Sequence, residues 1–133
     1  MLYPMAFMVL LTFIVAGIAI KHRFASVKNG TVSARFYKLM EGENVPEIIT
    51  KSTRCFNNMF EVPVLFYVVC TLYISLNIDS SLAIVLAWSF VILRYLHAFI
   101  HLSYNYVLHR MLAFWFGLLA ILGLWINIIL LQS

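Results

Sequence analysis

Charged residues are scarce in this sequence. Lys, Arg, Asp and Glu together make up 11% of its 133 residues, whereas hydrophobic residues make up 64%. Soluble domains carry about a quarter charged residues. A chain this short exposes much of its surface when folded, so its apolar side chains cannot all lie in a core. The composition therefore excludes an ordinary water-soluble domain and indicates a protein that folds in lipid.

Acidic residues are fewer still, with five Asp and Glu against nine Lys and Arg, which gives a formal net charge of +4. Nucleic-acid-binding proteins also carry excess positive charge, but they concentrate it on one basic face. Here the Lys and Arg residues lie in short polar segments beside apolar runs. We interpret them as signals of membrane orientation and expect no nucleic-acid partner.

Cysteine is nearly absent, and the two that occur, Cys55 and Cys70, are expected on one helix. At 1.5 Å per residue they would lie roughly 22 Å apart, which is too far for a disulfide. We interpret both as buried thiols. No basic residue precedes the first apolar run, so we do not expect a cleaved secretory signal.

Four long apolar runs are present, at residues 2–20, 56–78, 82–102 and 111–131. Each is close to the ~20 residues that a helix needs to cross about 30 Å of hydrocarbon. None shows the polar alternation of a barrel strand, and lipid offers the backbone no hydrogen-bond partners, so helices are expected. The sequence predicts one all-α integral membrane domain over residues 1–133, with four transmembrane helices.

The polar segment at residues 21–55 predicts the orientation of the chain. It holds seven of the nine basic residues. The second connection carries only Asp79, whereas the third carries His109 and Arg110. By the positive-inside rule, we expect the first and third connections to be cytoplasmic and both termini to face outward.

The second span carries polar residues at helical spacing. Arg54, Asn58 and Glu61 stand at i, i+4 and i+7, which places them within an arc of about 40–60° on a continuous helix. Ionisable groups inside a membrane cost several kcal/mol unless they are paired or solvated. This stripe is therefore a candidate functional surface.

The third span carries a second stripe, formed by Arg94, His97 and His101 at i, i+3 and i+7. The second helix begins at the cytoplasm and the third ends there, so both stripes are expected in the cytoplasmic half of the membrane. Glu61 and Arg94 have compatible depths for an ion pair. With Arg110 at the start of the fourth helix, the stripes predict a cationic chamber that attracts an anion.

Each of these residues also has an ordinary structural explanation. Arg54 and Arg110 could be ordinary arginines whose side chains extend to the membrane interface. Glu61 and Arg94 could be a structural ion pair, and Asn58 could hold helices together. His97 and His101 could be haem or metal ligands. The functional interpretation depends on the convergence of both stripes at one depth.

Two motifs resemble those of a known family. The stretch R-C-F-N-N-M-F-E at residues 54–61 resembles the R-x-x-x-N-x-x-E/D signature of the second helix in MAPEG proteins, which include microsomal glutathione transferases, leukotriene C4 synthase and microsomal prostaglandin E synthase. R-Y-L-H at residues 94–97 looks like the R-x-x-H of two of those branches. Arg110 falls where that pattern has an arginine. The resemblance covers essentially the whole chain.

The resemblance implies a homotrimer of four-helix protomers that binds glutathione, as co-substrate, between subunits near the cytoplasmic side. The residues that it implies for glutathione binding are Arg54, Asn58, Glu61, Arg94, His97 and His101. Arg54 and Arg94 are suited to its carboxylates. Arg110 is implied as the catalytic residue, because a guanidinium beside the sulfur favours the thiolate.

The sequence also departs from the family pattern. His101 stands where the prostaglandin synthase branch has a tyrosine, and Met111 stands where it has a serine. Tyr104 or Tyr106 could supply a phenol instead. Pro63 follows the acidic residue of the motif more closely than in the named branches, so a changed kink is expected there. These departures are typical of a divergent branch.

The function predicted from these features is a glutathione-dependent membrane transferase or peroxidase that acts on hydrophobic electrophiles or lipid hydroperoxides. The second substrate would be apolar and would enter from the lipid. One alternative is a non-catalytic trimeric membrane protein whose polar network is structural. Another is a haem-binding helical bundle that uses His97 and His101.

Overall fold

The computed structural model describes residues 1–39 and 45–133, and this part of the chain is helical. The helices are α1 (Leu2–Lys28), α2 (Phe36–Leu39), α3 (Glu47–Asn57), α4 (Val62–Ser75), α5 (Ser81–Leu102) and α6 (Val107–Gln132). Four helical segments are long and apolar enough to cross a membrane. Three of them are α1, α5 and α6, and the fourth consists of α3 and α4 in succession. The predicted all-α fold with four long apolar helices is confirmed.

Most helix ends extend beyond the apolar runs that predicted them, whereas α4 ends at Ser75, three residues before the end of its run. α1 continues to Lys28, and α3 begins at Glu47, nine residues before the run that starts at residue 56. Apolar runs mark the part of a helix that suits hydrocarbon, whereas its polar ends can continue into the interface. Much of the expected loop at residues 21–55 is therefore helical. Residues 40–44 of that loop lie outside the described part of the chain.

The second span is interrupted between α3 and α4. α3 ends at Asn57, α4 begins at Val62, and Pro63 is the second residue of α4. Proline has no N–H, and its ring excludes the carbonyl four residues earlier, which here belongs to Met59. A regular helix therefore cannot pass through residues 59–63. The polar stripe of this span was predicted on a continuous helix, but only Arg54 lies in α3, whereas Asn58 and Glu61 lie in the interruption.

α3 packs along α1 near the polar end of the bundle. Its buried side chains are Ile49, Ser52 and Cys55. Arg23 of α1 donates a hydrogen bond from Nη2 to Oγ1 of Thr53 at 3.2 Å. Cys55, like Cys70, is a buried free thiol, as expected, but the two lie on separate helices, α3 and α4, and not on one helix.

α5 and α6 pack closely because small residues line their contact. Ala113, Gly117 and Ala120 are buried on α6. A Cβ atom on Gly117 would lie 3.6 Å from the ring of Phe90, which is ordinary van der Waals distance. Phe90 in turn stacks on Phe66 of α4, with ring centroids 4.6 Å apart. Small residues at helix contacts are typical of membrane bundles, in which packing drives association.

A polar cluster joins three helices at the end of the bundle opposite to α2 and α3. The Tyr73 hydroxyl lies 2.8 Å from Oδ1 of Asn127 and 3.1 Å from the carbonyl oxygen of Leu124. Ser80 donates to the same Asn127 oxygen at 3.0 Å and accepts from the amide of Ala83 at the start of α5. These hydrogen bonds satisfy polar groups inside an apolar bundle and fix the α4–α5 connection.

The outer surface of the bundle is apolar. Large side chains such as Phe13, Phe99 and Leu119 are more than half exposed. Soluble monomers rarely expose contiguous apolar patches of this extent. Lipid or other apolar surfaces must therefore cover the bundle.

Candidate functional site

An open cavity of about 430 Å³ lies where the α3–α4 interruption, the last turns of α5 and the first turns of α6 meet. Its lining residues are Arg54, Asn57, Asn58, Glu61, His97, His101, Val107, Arg110, Met111 and Phe114. The volume is within the roughly 300–1,000 Å³ of small-molecule sites. The structure brings together six of the seven residues that the sequence predicts, and the seventh, Arg94, lies elsewhere.

The second span provides the most polar wall of the cavity. Arg54, Asn57 and Asn58 lie at the carboxyl end of α3 or directly after it, and Glu61 lies in the interruption. Arg54 and Glu61 are exposed, so both can change conformation to meet a ligand. Asn57 was not predicted. It stands at i+3 from Arg54, so the helical spacing that identified Asn58 also places Asn57 on this face.

α5 contributes two histidines to the cavity. His97 and His101 are one turn apart, and each is only 3% exposed. Their ring centroids are 5.8 Å apart, and the His97 ring lies 6.2 Å from the ring of Phe114. The Nδ1 atom of each is buried and has no hydrogen-bond partner within the described residues. Buried ring nitrogens are usually hydrogen-bonded, so these two imidazoles have unused polar capacity beside the cavity.

α6 provides the apolar wall and one cation. Val107, Arg110, Met111 and Phe114 stand at i, i+3, i+4 and i+7, and therefore form one face of the helix. Arg110 is in the first turn, where the free amides of the helix add partial positive charge. The apolar members of this face were missed because they lie within a long apolar run, where a cavity wall and a lipid-facing surface have the same composition.

Arg110 is held by a residue of the α5–α6 connection. Its Nη1 atom donates a hydrogen bond to Oδ1 of Asn105 at 2.7 Å. Asn105 has a φ of 51°, in the left-handed region, and its amide donates to the carbonyl of Ile100 at 2.8 Å. Asn tolerates this backbone conformation better than most residues. Asn105 therefore closes the end of α5 and orients the Arg110 guanidinium at the same time.

Arg94 lies behind the cavity wall. It is 1% exposed, and its Nη2 atom donates a hydrogen bond to the backbone carbonyl of Asn58. The expected ion pair with Glu61 is not formed. Over residues 1–39 and 45–133, the one ion pair within 4.0 Å joins Lys51 to Glu47 on the surface of α3. The interruption explains the difference, because a free carbonyl in α3–α4 takes the guanidinium in place of the carboxylate.

Two tyrosines considered from the sequence do not line the cavity. Tyr104 and Tyr106 are exposed in the α5–α6 connection. The Tyr104 hydroxyl lies 3.1 Å from Nδ1 of His109, and the Tyr106 ring packs on the same imidazole. With His109 they form an exposed aromatic cluster in the α5–α6 connection.

The charge of the cavity favours an anionic ligand. Two guanidinium groups, those of Arg54 and Arg110, face one carboxylate, that of Glu61. Guanidinium groups pair well with carboxylates, while Asn57 and Asn58 can both donate and accept. The single carboxylate suits an ammonium group. Within the described residues, no three His, Cys, Asp or Glu side chains are grouped so that they could hold a metal ion.

A comparison of the whole sequence with known families agrees with the fold. The sequence pattern of the MAPEG family matches residues 1–130 of the 133. Searches of curated proteins and of solved structures give no match. The match includes every residue that lines the cavity and all four long apolar helices except the last two residues of α6. The chain belongs to the MAPEG family.

Proposed function

We propose that this protein is a glutathione-dependent membrane transferase or peroxidase, and that the cavity binds glutathione. Members of the MAPEG family include glutathione transferases and peroxidases. The observation that carries the proposal is the pairing of an oriented arginine, Arg110, with a polar wall on α3 and an apolar wall on α6. A thiol tripeptide and an apolar substrate would need these two walls in one cavity.

The lining groups match the chemistry of glutathione. Arg54 is suited to one of its two carboxylates because a guanidinium can bind a carboxylate with two hydrogen bonds. Glu61 is suited to the ammonium group, and the amides of Asn57 and Asn58 to the peptide backbone. His101, on α5, adds a buried ring nitrogen that has no hydrogen-bond partner within the described residues.

Arg110 would stabilise the thiolate. A free thiol has a pKa of about 8.5, so only a few per cent is ionised at neutral pH. Arg110 and the first turn of α6 place positive charge at one point of the cavity, which favours the sulfur anion. A decrease of two pKa units in the bound thiol corresponds to about 2.7 kcal/mol.

The thiolate can then react in two ways. With an electrophilic carbon, a carbon–sulfur bond forms and the leaving group departs with its electron pair, or the adduct takes up a proton. With a lipid hydroperoxide, the sulfur attacks the terminal oxygen and the O–O bond breaks to give an alcohol and a sulfenic acid. A second glutathione then releases water and forms the disulfide. Val107, Met111 and Phe114 would contact the apolar substrate as it enters from the lipid.

We further propose a homotrimer in which the α2–α3 end faces the cytoplasm and both termini face outward. The basic residues near the ends of α1 and α3 support this orientation. The apolar exterior supports an assembly in the membrane, and the open cavity leaves one side for a neighbouring subunit. Cross-linking in detergent and native mass measurement test the number of subunits, and labelling of engineered cysteines in vesicles tests the orientation.

Calorimetric titration of glutathione into the detergent-purified protein tests the proposal. We expect saturable binding to the wild type, at least tenfold weaker binding to Glu61→Gln, and a smaller effect for Arg110→Ala. Arg110→Ala should lose most of the turnover with a hydrophobic electrophile while it keeps the oligomeric state of the wild type.

The same variants separate this function from a structural role. If the polar network only holds an assembly together, Arg110→Ala and Glu61→Gln should change the oligomeric state. Neither the wild type nor the two variants should then bind glutathione. Absence of binding to the folded wild type at millimolar glutathione would contradict the proposed function.

A further inference from the structure

Arg94 is the most completely buried large side chain that carries a charge in the described chain. It lies inside the bundle, at 1% exposure, with no acidic group within ion-pair distance in the described residues. A buried charge is costly unless hydrogen bonds compensate for its lost hydration. Its position therefore requires a specific partner, and the structure gives it the carbonyl oxygen of Asn58.

The interruption of the second span explains why that carbonyl is free. In a continuous helix the carbonyl of Asn58 would accept from the amide of Val62, and the carbonyl of Met59 would accept from residue 63. Residue 63 is a proline, which has no amide hydrogen and excludes the carbonyl four residues earlier. α3 therefore ends at Asn57, and the Asn58 carbonyl loses its helical partner.

A free carbonyl inside a membrane bundle must be satisfied by the protein, because lipid supplies no donor. Arg94 supplies it from the facing helix, α5. Asn58 also lines the cavity, as does Glu61, the last residue of the interruption. The hydrogen bond from Arg94 thus joins α5 to the segment from which two cavity residues project.

We infer that Arg94 is a positioning residue, which stabilises the α3–α4 interruption created by Pro63 and so orients Asn58 and Glu61 toward the ligand without contacting the ligand itself. The inference about ligand binding rests on the proposed function. The inference that Arg94 and Pro63 are energetically coupled does not depend on the proposed function. Arg54 differs from Arg94 in this respect, because it is exposed in the cavity and can contact a ligand directly.

A double-mutant cycle between Arg94 and Pro63 tests the coupling. Arg94→Met keeps the length and apolar stem of the side chain but removes the donor. In the wild-type background it should lower the apparent Tm by about 5–10 °C, because a buried carbonyl loses its partner. In the Pro63→Ala background the helix can continue, and the amide of Val62 can replace the guanidinium. The same substitution should then lower the apparent Tm by less than half as much.

Glutathione affinity should respond differently from stability. We expect Arg94→Met to weaken binding at least tenfold. The added Pro63→Ala substitution should reduce the loss of Tm without restoring the affinity, since a continuous helix redirects Glu61. Arg54→Met is the matched control. It should weaken glutathione binding with little change in Tm, and its effect on Tm should be the same in the wild-type and Pro63→Ala backgrounds.

Two results would overturn the inference. One is an equal loss of Tm on Arg94→Met in both backgrounds, which would mean that Arg94 does not compensate for the proline. The other is a loss of glutathione affinity without any loss of Tm, which would make Arg94 a direct ligand contact. If the wild type binds no glutathione, the proposed function fails, and the Tm cycle still decides the role of Arg94.

Hydrogen exchange provides a second measurement if Pro63→Ala does not assemble. In Arg94→Met, the amides of residues 58–62 and of Val64 should exchange faster than in the wild type, while those in the middle of α6 should be unchanged. Unchanged exchange across residues 58–64 would contradict the role of Arg94 at the interruption.

Discussion

The guanidinium of Arg110 and the side-chain oxygen of Asn105 are joined by a hydrogen bond of 2.7 Å. Asn105 is one of two non-glycine residues with positive φ in the described chain, and it lies between α5 and α6. Its backbone therefore sets the turn, and its side chain sets the direction of the arginine. The local conformation of the connection and the chemistry proposed for the cavity depend on the same residue.

Asn105→Gly separates these two roles. Glycine adopts positive φ without strain, so the turn should persist and the apparent Tm should change by only a few degrees. Arg110 loses its acceptor and gains conformational freedom. We expect turnover to fall about fivefold to twentyfold while the glutathione Kd changes less than threefold. Steady-state kinetics and calorimetry on the same preparation measure both quantities.

Asn105→Asp is the matched variant, because it keeps the geometry and adds a negative charge beside Arg110. The carboxylate would neutralise the guanidinium and disfavour a nearby thiolate. We expect a larger loss of turnover than in Asn105→Gly, even though Arg110 remains held. Equal activity in the two variants would show that Asn105 does not act through the charge of Arg110.

The pH dependence of turnover should identify the group that Arg110 stabilises. The thiolate is the reactive form, so the rate should rise with pH and level off above the pKa of the bound thiol. If Arg110 lowers that pKa, Arg110→Ala should move the rise to higher pH, toward about 8.5–9, and Arg110→Lys should move it less. The ultraviolet absorbance of the bound thiolate gives the same midpoint without turnover. An unchanged midpoint in Arg110→Ala would contradict the role.

The apolar wall of α6 should determine how well a hydrophobic acceptor binds. Phe114→Ala removes most of an aromatic surface that lies in the cavity and beside His97. We expect the KM for a bulky apolar electrophile to rise about tenfold, which corresponds to roughly 1.4 kcal/mol. Phe114→Leu, which keeps an apolar side chain, should raise it less. A rise in the glutathione Kd with no change in acceptor KM would instead assign Phe114 to the glutathione side.

Most of the fold follows from hydrophobicity, because four runs of about twenty apolar residues permit few structures in lipid. The ends of the helices do not follow from it. α3 begins within the polar segment, at Glu47, where its apolar residues only cover one face. The spacing of Arg54, Asn58, His97 and His101 predicted which side chains share the cavity, since helical periodicity holds on each side of the interruption.

The role of Arg94 shows where the sequence was insufficient. Its depth and charge suggested Glu61 as a partner, because sequence patterns describe side chains better than backbone groups. The structure instead pairs it with a carbonyl that becomes free only when Pro63 ends the helix. Proline at residue 63 indicated a kink. Which donor would meet the carbonyl freed by that kink depends on how α5 packs against α3, and the sequence does not show this packing.

Gly117 should tolerate one additional carbon but not a large side chain. A Cβ atom there would lie 3.6 Å from Phe90, at ordinary contact distance, so Gly117→Ala should leave the Tm unchanged or raise it by stabilising α6 by up to about 1 kcal/mol. Gly117→Leu must displace Phe90 of α5, which stacks on Phe66 of α4, at a cost of about 1–3 kcal/mol. Thermal unfolding in detergent measures both variants. A destabilised Gly117→Ala protein would contradict the ordinary contact distance between residue 117 and Phe90.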